Sequence, residues 1–145
     1  MKNAYFGRRY TISASHRLHT DALSGQENRA AYGKCNNPHG HGHNYTVEVM
    51  ARGPVDAETG MVINLVELDE AVQTRVLDRF DHANLNLDPM FTHDVPTTEN
   101  LCKAVYKLLE GSLEPAQLVH VRVEETENNF FEYFGEASQA HGGIA

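Results

Sequence analysis

One segment is the most informative in the sequence: Cys35-Asn-Asn-Pro-His-Gly-His41-Gly-His43-Asn-Tyr45-Thr-Val-Glu-Val49. It places three histidines and one of only two cysteines directly before alternating apolar and polar residues, which predict a strand. Side chains two residues apart on a strand point to the same face, so His41 and His43 direct two imidazoles at one point. Two neutral imidazole nitrogens in that arrangement are typical zinc ligands.

Two features of this segment leave alternatives open. His39 forms a second His-x-His pair with His41, but Pro38 favours a loop at His39, so we prefer the strand pair of His41 and His43. Cys35 is either a further metal ligand, which would close a structural zinc site, or a reactive thiol beside a metal with an open coordination position. The first option predicts a structural module and the second an enzyme.

Length and composition limit the class of protein. The 145 residues are typical of one domain, so we predict a single domain over 1–145 with a loose tail over 136–145. No apolar run approaches the ~20 residues of a membrane span, and the N-terminus lacks an apolar signal core, so a cytoplasmic location is expected. A net charge of −8 argues against nucleic acid or an anionic membrane as a general partner.

Hydrophobic periodicity predicts the order strand, strand, helix, helix, strand, strand. The predicted elements are strands over 5–17 and about 43–52, a helix after Asn64, a helix over about 98–110 that starts at Thr97, and strands around 119–123 and 130–135. This order predicts an α+β domain with a four-stranded antiparallel sheet and two helices on one face. Residues 18–40 are predicted as a long loop, and such loops in compact domains are usually functional.

Titratable residues extend the apolar faces of three predicted strands. His16 continues the face of the first strand, His41 and His43 share the face of the second, and Glu125 continues that of the third. Such groups are costly on an apolar face unless they are paired or bind a metal, so we expect them to converge, with His16 as a third nitrogen ligand. For Glu125 alone, the ordinary alternative is a strand end that becomes polar.

Two further motifs have both a structural and a chemical interpretation. Asp81 and His82 lie in an irregular stretch, where an aspartate can fix the tautomer of a histidine, although a surface pair is the ordinary alternative. Thr97, Thr98 and Glu99 are first of all a helix start, with a threonine cap and a carboxylate in the first turn.

Six blocks of the sequence resemble, in order and spacing, the family of 6-pyruvoyl-tetrahydropterin synthase and 6-carboxy-tetrahydropterin synthase over roughly residues 5–135. The blocks are Ser13–Leu18, Cys35–Tyr45, Gly60–Asn64, Asp81–Leu85, Pro96–Asn100 and Glu125–Asn129. The resemblance implies a tunnelling fold, in which three subunits close a barrel and two trimers commonly stack into a hexamer. It also implies active sites between the subunits of this homo-oligomer.

The resemblance assigns roles to ten residues. It implies Zn²⁺ ligands at His16, His41 and His43, a catalytic thiol at Cys35, a proton relay from a neighbouring subunit at Asp81 and His82, a carboxylate that binds the guanidine-like edge of the pterin at Glu125, and a pocket lining at Thr97, Thr98 and Glu99. The implied reaction converts 7,8-dihydroneopterin triphosphate to 6-pyruvoyl-tetrahydropterin with loss of triphosphate. Arg17 or Lys34 is a candidate contact for the triphosphate.

The spacing of the cysteine separates the two branches of the family. Cys35 stands five residues before His41, as Cys-x5-His-x-His, which resembles the pyruvoyl-forming branch. The queuosine-pathway branch more often has Cys-x3-His-x-His, a spacing that His39 also satisfies. The second hypothesis is therefore a 6-carboxy-tetrahydropterin synthase that releases acetaldehyde. The third is a non-catalytic oligomer with a structural zinc site.

Overall fold

The strands and helices follow the predicted order, with two additions. The computed structural model describes residues 2–136, so the predicted tail lies, except for Glu136, outside the described residues. The elements are β1 Asn3–His16, α1 Gly25–Tyr32, β2 His41–Pro54, α2 Leu65–Val72, β3 Ala83–Asn84, α3 Thr98–Leu109, β4 Gln117–Glu124 and β5 Phe130–Tyr133. Helix α2 continues through a π-helical stretch, Gln73–Leu77, into a last turn, Asp78–Phe80. Three 3₁₀ turns are Gly33–Asn36, Leu85–Leu87 and Pro89–Phe91.

The sheet has five strands in the order β3-β1-β2-β4-β5. The four long strands are antiparallel, as predicted, but β3 runs parallel to β1 and pairs with it at Ala14 and Ser15. The prediction of four purely antiparallel strands was wrong in this respect. A two-residue strand has no readable alternation, and β3 forms because the preceding residues, Asp81 and His82, bond to the backbone of Ser13 at the edge of β1. The sheet of the single chain is open.

Alternation along the strands buries one face of the sheet beneath α2 and α3. The buried apolar strand residues are Ile12, Ala14, Tyr45, Val47, Val49, Ala51, Val121, Val123 and Tyr133. The helix stripes contribute Leu68, Val72, Val76, Phe80, Leu101, Ala104, Val105 and Leu109. Each fully buried side chain of this size stabilises the fold by roughly 1.5–3 kcal/mol, so this face fixes the register of the strands. Within residues 2–136, no helix has the length and apolar character required to cross a membrane.

Both predicted helix caps are confirmed. The side chain of Asn64 accepts hydrogen bonds from the first turn of α2, and Thr97 Oγ1 accepts one from Asn100 N at 3.1 Å at the start of α3. The last two predicted strands form an antiparallel hairpin, in which Glu125 N donates to Asn129 O.

The loop predicted over 18–40 contains a helix, so that prediction was wrong in part. Helix α1 starts with a capping box, in which Ser24 Oγ accepts from Glu27 N at 3.1 Å and the Glu27 carboxylate accepts from Ser24 N at 2.9 Å. The residue that α1 buries is Asn28, not an apolar side chain. Without an apolar stripe the helix leaves no periodic signal in the sequence.

Two buried asparagines organise this segment. The Asn28 side chain accepts a hydrogen bond from Thr20 N at 2.9 Å and donates one to Thr20 O. Asn36 donates to Leu18 O at 2.7 Å. Residues 17–40 are all described, and none of their apolar side chains is buried. Hydrogen bonds of buried asparagines, not buried apolar side chains, therefore hold this segment together.

Candidate metal-binding active site

Three strand ends bring four ligand groups together. His16 ends β1, His41 and His43 open β2, and Glu125 follows the last residue of β4. Their ligand atoms all lie within 4.8 Å of one another. The antiparallel register pairs His16 with His41, so the convergence that strand parity predicted is a direct consequence of the pairing of β1 with β2.

Gly40 allows β2 to start beside the end of β1. Its φ is +72°, and a Cβ at this position would lie 2.9 Å from the carbonyl oxygen of His16. A side chain there would clash with backbone and strain the turn, so glycine is required for this close approach. His41 consequently lies directly opposite His16.

The tautomer of His16 follows from its contacts. Its Nδ1 lies 2.8 Å from the carbonyl oxygen of Pro96. Because a carbonyl only accepts hydrogen bonds, Nδ1 carries the proton and the lone pair of Nε2 is free. This Nε2 lies 3.2 Å from Nε2 of His41. Two ligand atoms of a tetrahedral zinc site are about 3.3 Å apart, so the spacing is compatible with a tetrahedral metal ion such as zinc.

The surroundings of the His43 ring also indicate a site for a cation. Its buried Nε2 has no hydrogen-bond partner among the described residues, because its contact with Glu125 Oε1, at 2.9 Å, lacks hydrogen-bond geometry. A cation between the groups would satisfy this nitrogen. Burial lowers the pKa of His16 and of His43, which favours the neutral imidazole that binds a metal.

The second oxygen of Glu125 faces the start of α3. Oε2 accepts a hydrogen bond from Thr98 Oγ1 at 2.6 Å. Thr98, Glu99 and Glu125 line a cavity of about 230 Å³ beneath the start of β5. Three of the four residues predicted for the pterin pocket thus lie together, while Thr97 uses its hydroxyl in the helix cap.

Cys35 lies beside the histidines but outside the group of four. It lines a cavity of about 690 Å³ together with His41 and His43. Burial, followed by the negative charge of Glu125, raises the pKa of the Cys35 thiol. His39 is exposed and also lies outside the group of ligand atoms found among residues 2–136.

Asp81 and His82 are not part of the histidine group of their own chain. His82 has a φ of +60° and a side chain that is 83% exposed, with Nδ1 3.2 Å from Asp81 Oδ2. It lines an open depression with Ser13 and Ser15, which belong to the sheet face opposite His16, and His43 borders the same depression. This outward position is compatible with use by a neighbouring subunit, and that role stays a prediction.

Two contacts to His16 are not predictable from the pattern of the sequence. The carbonyl of Pro96 is a backbone group and leaves no signal in the sequence. Tyr45 lies on the buried face of β2, and its hydroxyl oxygen is 3.2 Å from His16 Nδ1, a contact that alternation alone does not reveal.

A family model described as 6-pyruvoyl tetrahydropterin synthase matches residues 5–136. The chain belongs to this family. The 6-pyruvoyl tetrahydrobiopterin synthase of Drosophila melanogaster is 47% identical over 134 residues, which cover 91% of this chain and 80% of the relative. The structure of the Caenorhabditis elegans 6-pyruvoyl tetrahydropterin synthase matches with a TM-score of 0.88 and 41% identity, over 94% of this chain and 98% of that one.

The other branch of the family is less similar. The 6-carboxy-5,6,7,8-tetrahydropterin synthase of Bacillus subtilis (strain 168) is 29% identical over 113 residues, covering 72% of this chain and 73% of the relative. Together these matches confirm the predicted membership in the 6-pyruvoyl tetrahydropterin synthase family and the preference for its pyruvoyl-forming branch. They also confirm the prediction of a lyase and of its α+β fold.

Proposed function

We propose that this protein is a zinc-dependent lyase that converts 7,8-dihydroneopterin triphosphate to 6-pyruvoyl-tetrahydropterin and releases triphosphate. The observation that carries the proposal is the convergence of three histidines, His16, His41 and His43, next to the cavity that Cys35 lines. The high identity to relatives named for this product supports the choice of reaction.

The three histidines would hold the zinc ion. Held by these residues, zinc would supply Lewis acidity, which would make the carbon-bound protons of the substrate side chain easier to remove. The carbonyl of Pro96 and the hydroxyl of Tyr45 fix the ring of His16, and such partners orient metal ligands.

Cys35 is the proposed general base. It takes a proton from a carbon of the substrate side chain, for which it must be a thiolate. Burial and the charge of Glu125 raise the pKa of the thiol and oppose this state. The positive charge of a cation at the neighbouring histidines acts in the opposite direction. Asp81 and His82 of a neighbouring subunit then move protons to and from the side chain.

The pterin ring would bind in the pocket at the start of α3. Glu125 accepts from the guanidine-like edge of the ring, and Thr97, Thr98 and Glu99 line the pocket. Both oxygens of Glu125 are already close to other groups, since one faces His43 and the other accepts from Thr98. The carboxylate therefore stands between the histidines and the proposed ring site.

The open sheet supports assembly into a trimer or a hexamer. Among residues 2–136, the outer edge of β1 pairs with β3 only at Ala14 and Ser15, and Tyr5 on β1 is 62% exposed. Free strand edges favour pairing with another chain, and closure of a ring removes them. We infer that three copies close a barrel, which would bring Asp81 and His82 of one copy to Cys35 of the next.

Incubation of the zinc-loaded protein with 7,8-dihydroneopterin triphosphate, with and without a reductant, tests the proposal. Mass spectrometry should identify 6-pyruvoyl-tetrahydropterin together with released triphosphate. A carboxy product with acetaldehyde would assign the protein to the other branch of the family. The absence of any pterin product from protein with bound zinc would instead favour the structural zinc site.

A further inference from the structure

The position of Cys35 depends on hydrogen bonds rather than on packing. Cys35 lies in the 3₁₀ turn Gly33–Asn36, within the segment 17–40, none of whose apolar side chains is buried. The Cys35 carbonyl accepts a hydrogen bond from Leu18 N at 2.8 Å. Leu18 stands two residues after His16. The backbone of Cys35 is therefore tied to the chain directly beyond the histidine group, and the contacts of the turn decide where the thiol lies.

The side chain of Asn36 joins the turn to the same stretch of chain. It is 6% exposed, and its amide nitrogen donates to Leu18 O at 2.7 Å. The same nitrogen lies 3.0 Å from Nδ1 of His19. The Asn36 carbonyl also accepts from Arg17 Nε, at 3.2 Å. Cys35 and Asn36 together thus contact each of residues 17–19.

The contact between Asn36 and His19 fixes the tautomer of the imidazole. Because Leu18 O only accepts hydrogen bonds, the amide nitrogen of Asn36 faces it and has a second N–H for His19. Nδ1 of His19 is consequently the acceptor, and the ring proton lies on Nε2. This Nε2 lies 3.5 Å from Oδ1 of Asp21. A histidine outside the ligand group thus presents a lone pair to the residue next to Cys35.

Loss of this acceptor would leave one N–H of a buried amide unpaired. A buried polar group without a partner is costly, so the turn would shift to bring the amide to water. Packing would oppose the shift little, since residues 17–40 bury no apolar side chain. Cys35 directly precedes Asn36 and would move with it. Displacement of a reacting group by about 1 Å can lower the rate by about 10²-fold.

We propose that His19 and Asn36 are positioning residues, which hold the Cys35 thiol beside the histidine group for proton abstraction. The inference rests on the proposed function for the role of Cys35. His19 is not among the residues that line the cavity of about 690 Å³ around Cys35, so it acts through Asn36. Substitutions of His19 therefore test the positioning role without removing a group from the cavity wall.

Steady-state kinetics of the zinc-loaded full chain with 7,8-dihydroneopterin triphosphate provides the first test. His19→Leu removes the acceptor and should lower kcat about tenfold, while KM stays within about threefold of the wild type. His19→Asn should restore kcat to within about twofold, because its amide oxygen is an acceptor at the place of Nδ1. His93→Leu, the same replacement at an exposed histidine, is the matched control and should leave kcat unchanged. Equal losses in both His19 variants, or no loss in His19→Leu, would overturn the proposal.

Alkylation of Cys35 by iodoacetamide provides a measurement that does not depend on turnover. In the zinc-free full chain, His19→Leu should react at Cys35 about threefold or more faster than the wild type, because release of the turn exposes the thiol. His19→Asn and His93→Leu should react at the rate of the wild type. Cys102 is buried and serves as the internal reference when the modified peptides are identified by mass. An unchanged rate in His19→Leu, or alkylation of Cys102 in that variant, would overturn a role specific to Cys35.

The two measurements let the two proposals fail separately. If alkylation follows the expected pattern but the wild type forms no pterin product, the positioning of Cys35 stands and the proposed function fails. If the wild type forms the product and His19→Leu matches it in kcat and in alkylation rate, the proposed function stands and the positioning role is overturned.

Discussion

Glu125 Oε1 lies 2.9 Å from Nε2 of His43, and the other oxygen of the same carboxylate accepts a hydrogen bond from Thr98. One carboxylate thus contacts both the histidine group and the proposed pterin pocket. The family resemblance assigned Glu125 to the pterin alone, whereas the geometry groups it with the three histidines.

We expect Glu125→Gln to lower zinc affinity about tenfold, since a carboxylate next to a metal site typically contributes at least this much. Competition with a chromogenic chelator, in the absence of substrate, measures the effect. Glu99→Gln is the matched control, because Glu99 lines the same small cavity but is not in the ligand group. Weaker pterin binding with unchanged zinc affinity would restrict Glu125 to the pterin.

Replacement of Cys35 separates catalysis from metal binding. Cys35→Ala should retain zinc and lose turnover by ~10²-fold or more, as expected for a general base. Cys102→Ala is the control, because the buried Cys102 thiol donates to Val121 O at 3.1 Å and lines neither cavity of the site. Turnover of the control should be close to that of the wild type. Loss of zinc from Cys35→Ala would place the thiol among the ligands.

Active sites shared between subunits can be tested by complementation. Cys35→Ala and His82→Ala should each be nearly inactive alone. After co-refolding at equal amounts, about a quarter of the sites in a mixed ring combine an intact Cys35 with an intact His82 from the neighbour, so about a quarter of the activity should return. Activity that stays at the level of the single variants would show that both residues act within one chain.

Zinc removal should leave the protein folded. The apolar core is formed by the sheet and by α2 and α3, and it does not depend on the histidine group. We expect the chelated protein to keep its far-ultraviolet circular dichroism and to lose only the stability that metal binding supplies. Cooperative unfolding on chelation would instead indicate a structural zinc site.

The ion pair of Arg79 with Asp88 predicts a pH-dependent stability. Burial raises the pKa of Asp88, but hydrogen bonds from Arg79 and from Met90 N outweigh it, and the pKa falls below its usual value. Such a carboxylate stabilises the fold at neutral pH, and the stabilisation disappears as pH falls through the lowered pKa. Asp88→Asn should therefore lower the free energy of unfolding by about 1 kcal/mol at pH 7.

Denaturant unfolding at several pH values measures this difference. The gap between wild type and Asp88→Asn should begin to narrow below about pH 4, where the unfolded carboxyl becomes protonated, and should close only below the lowered pKa of the folded state. Asp94→Asn, at an exposed position, serves as the control, and its free energy of unfolding should match that of the wild type both at pH 7 and at low pH. A gap that persists at low pH would mean that the loss comes from something other than the charge.

The parts of the fold that were predictable are those in which burial repeats along the chain. Ile12 and Ala14 alternate with polar neighbours that are less buried, and Leu68, Val72 and Val76 recur at helical spacing, so the core face is visible in the sequence. Helix α1 was missed because it buries Asn28. Strand β3 was missed because two residues are too few for alternation.

The same distinction applies to the site. His16, His41 and His43 continue the buried faces of paired strands, so their positions in the alternating pattern already predict that they lie together. The approach of Arg29 to the same cavity as Arg17 depends on how residues 18–40 fold back. That path is set by hydrogen bonds of Asn28 and Asn36, which have no periodicity.

Residues 17–40 line the cavity beside Cys35 without contributing buried apolar side chains to the core. Since no apolar side chain of this segment enters the core, exchange of its exposed residues requires no compensating change in the sheet or in α2 and α3. The cavity wall is therefore the part of the molecule in which new ligand preferences can arise at low cost in stability. Design that aims at a different ligand for this cavity should begin at Arg29 and Lys34, which line it and are exposed, and leave Asn28 and Asn36 untouched.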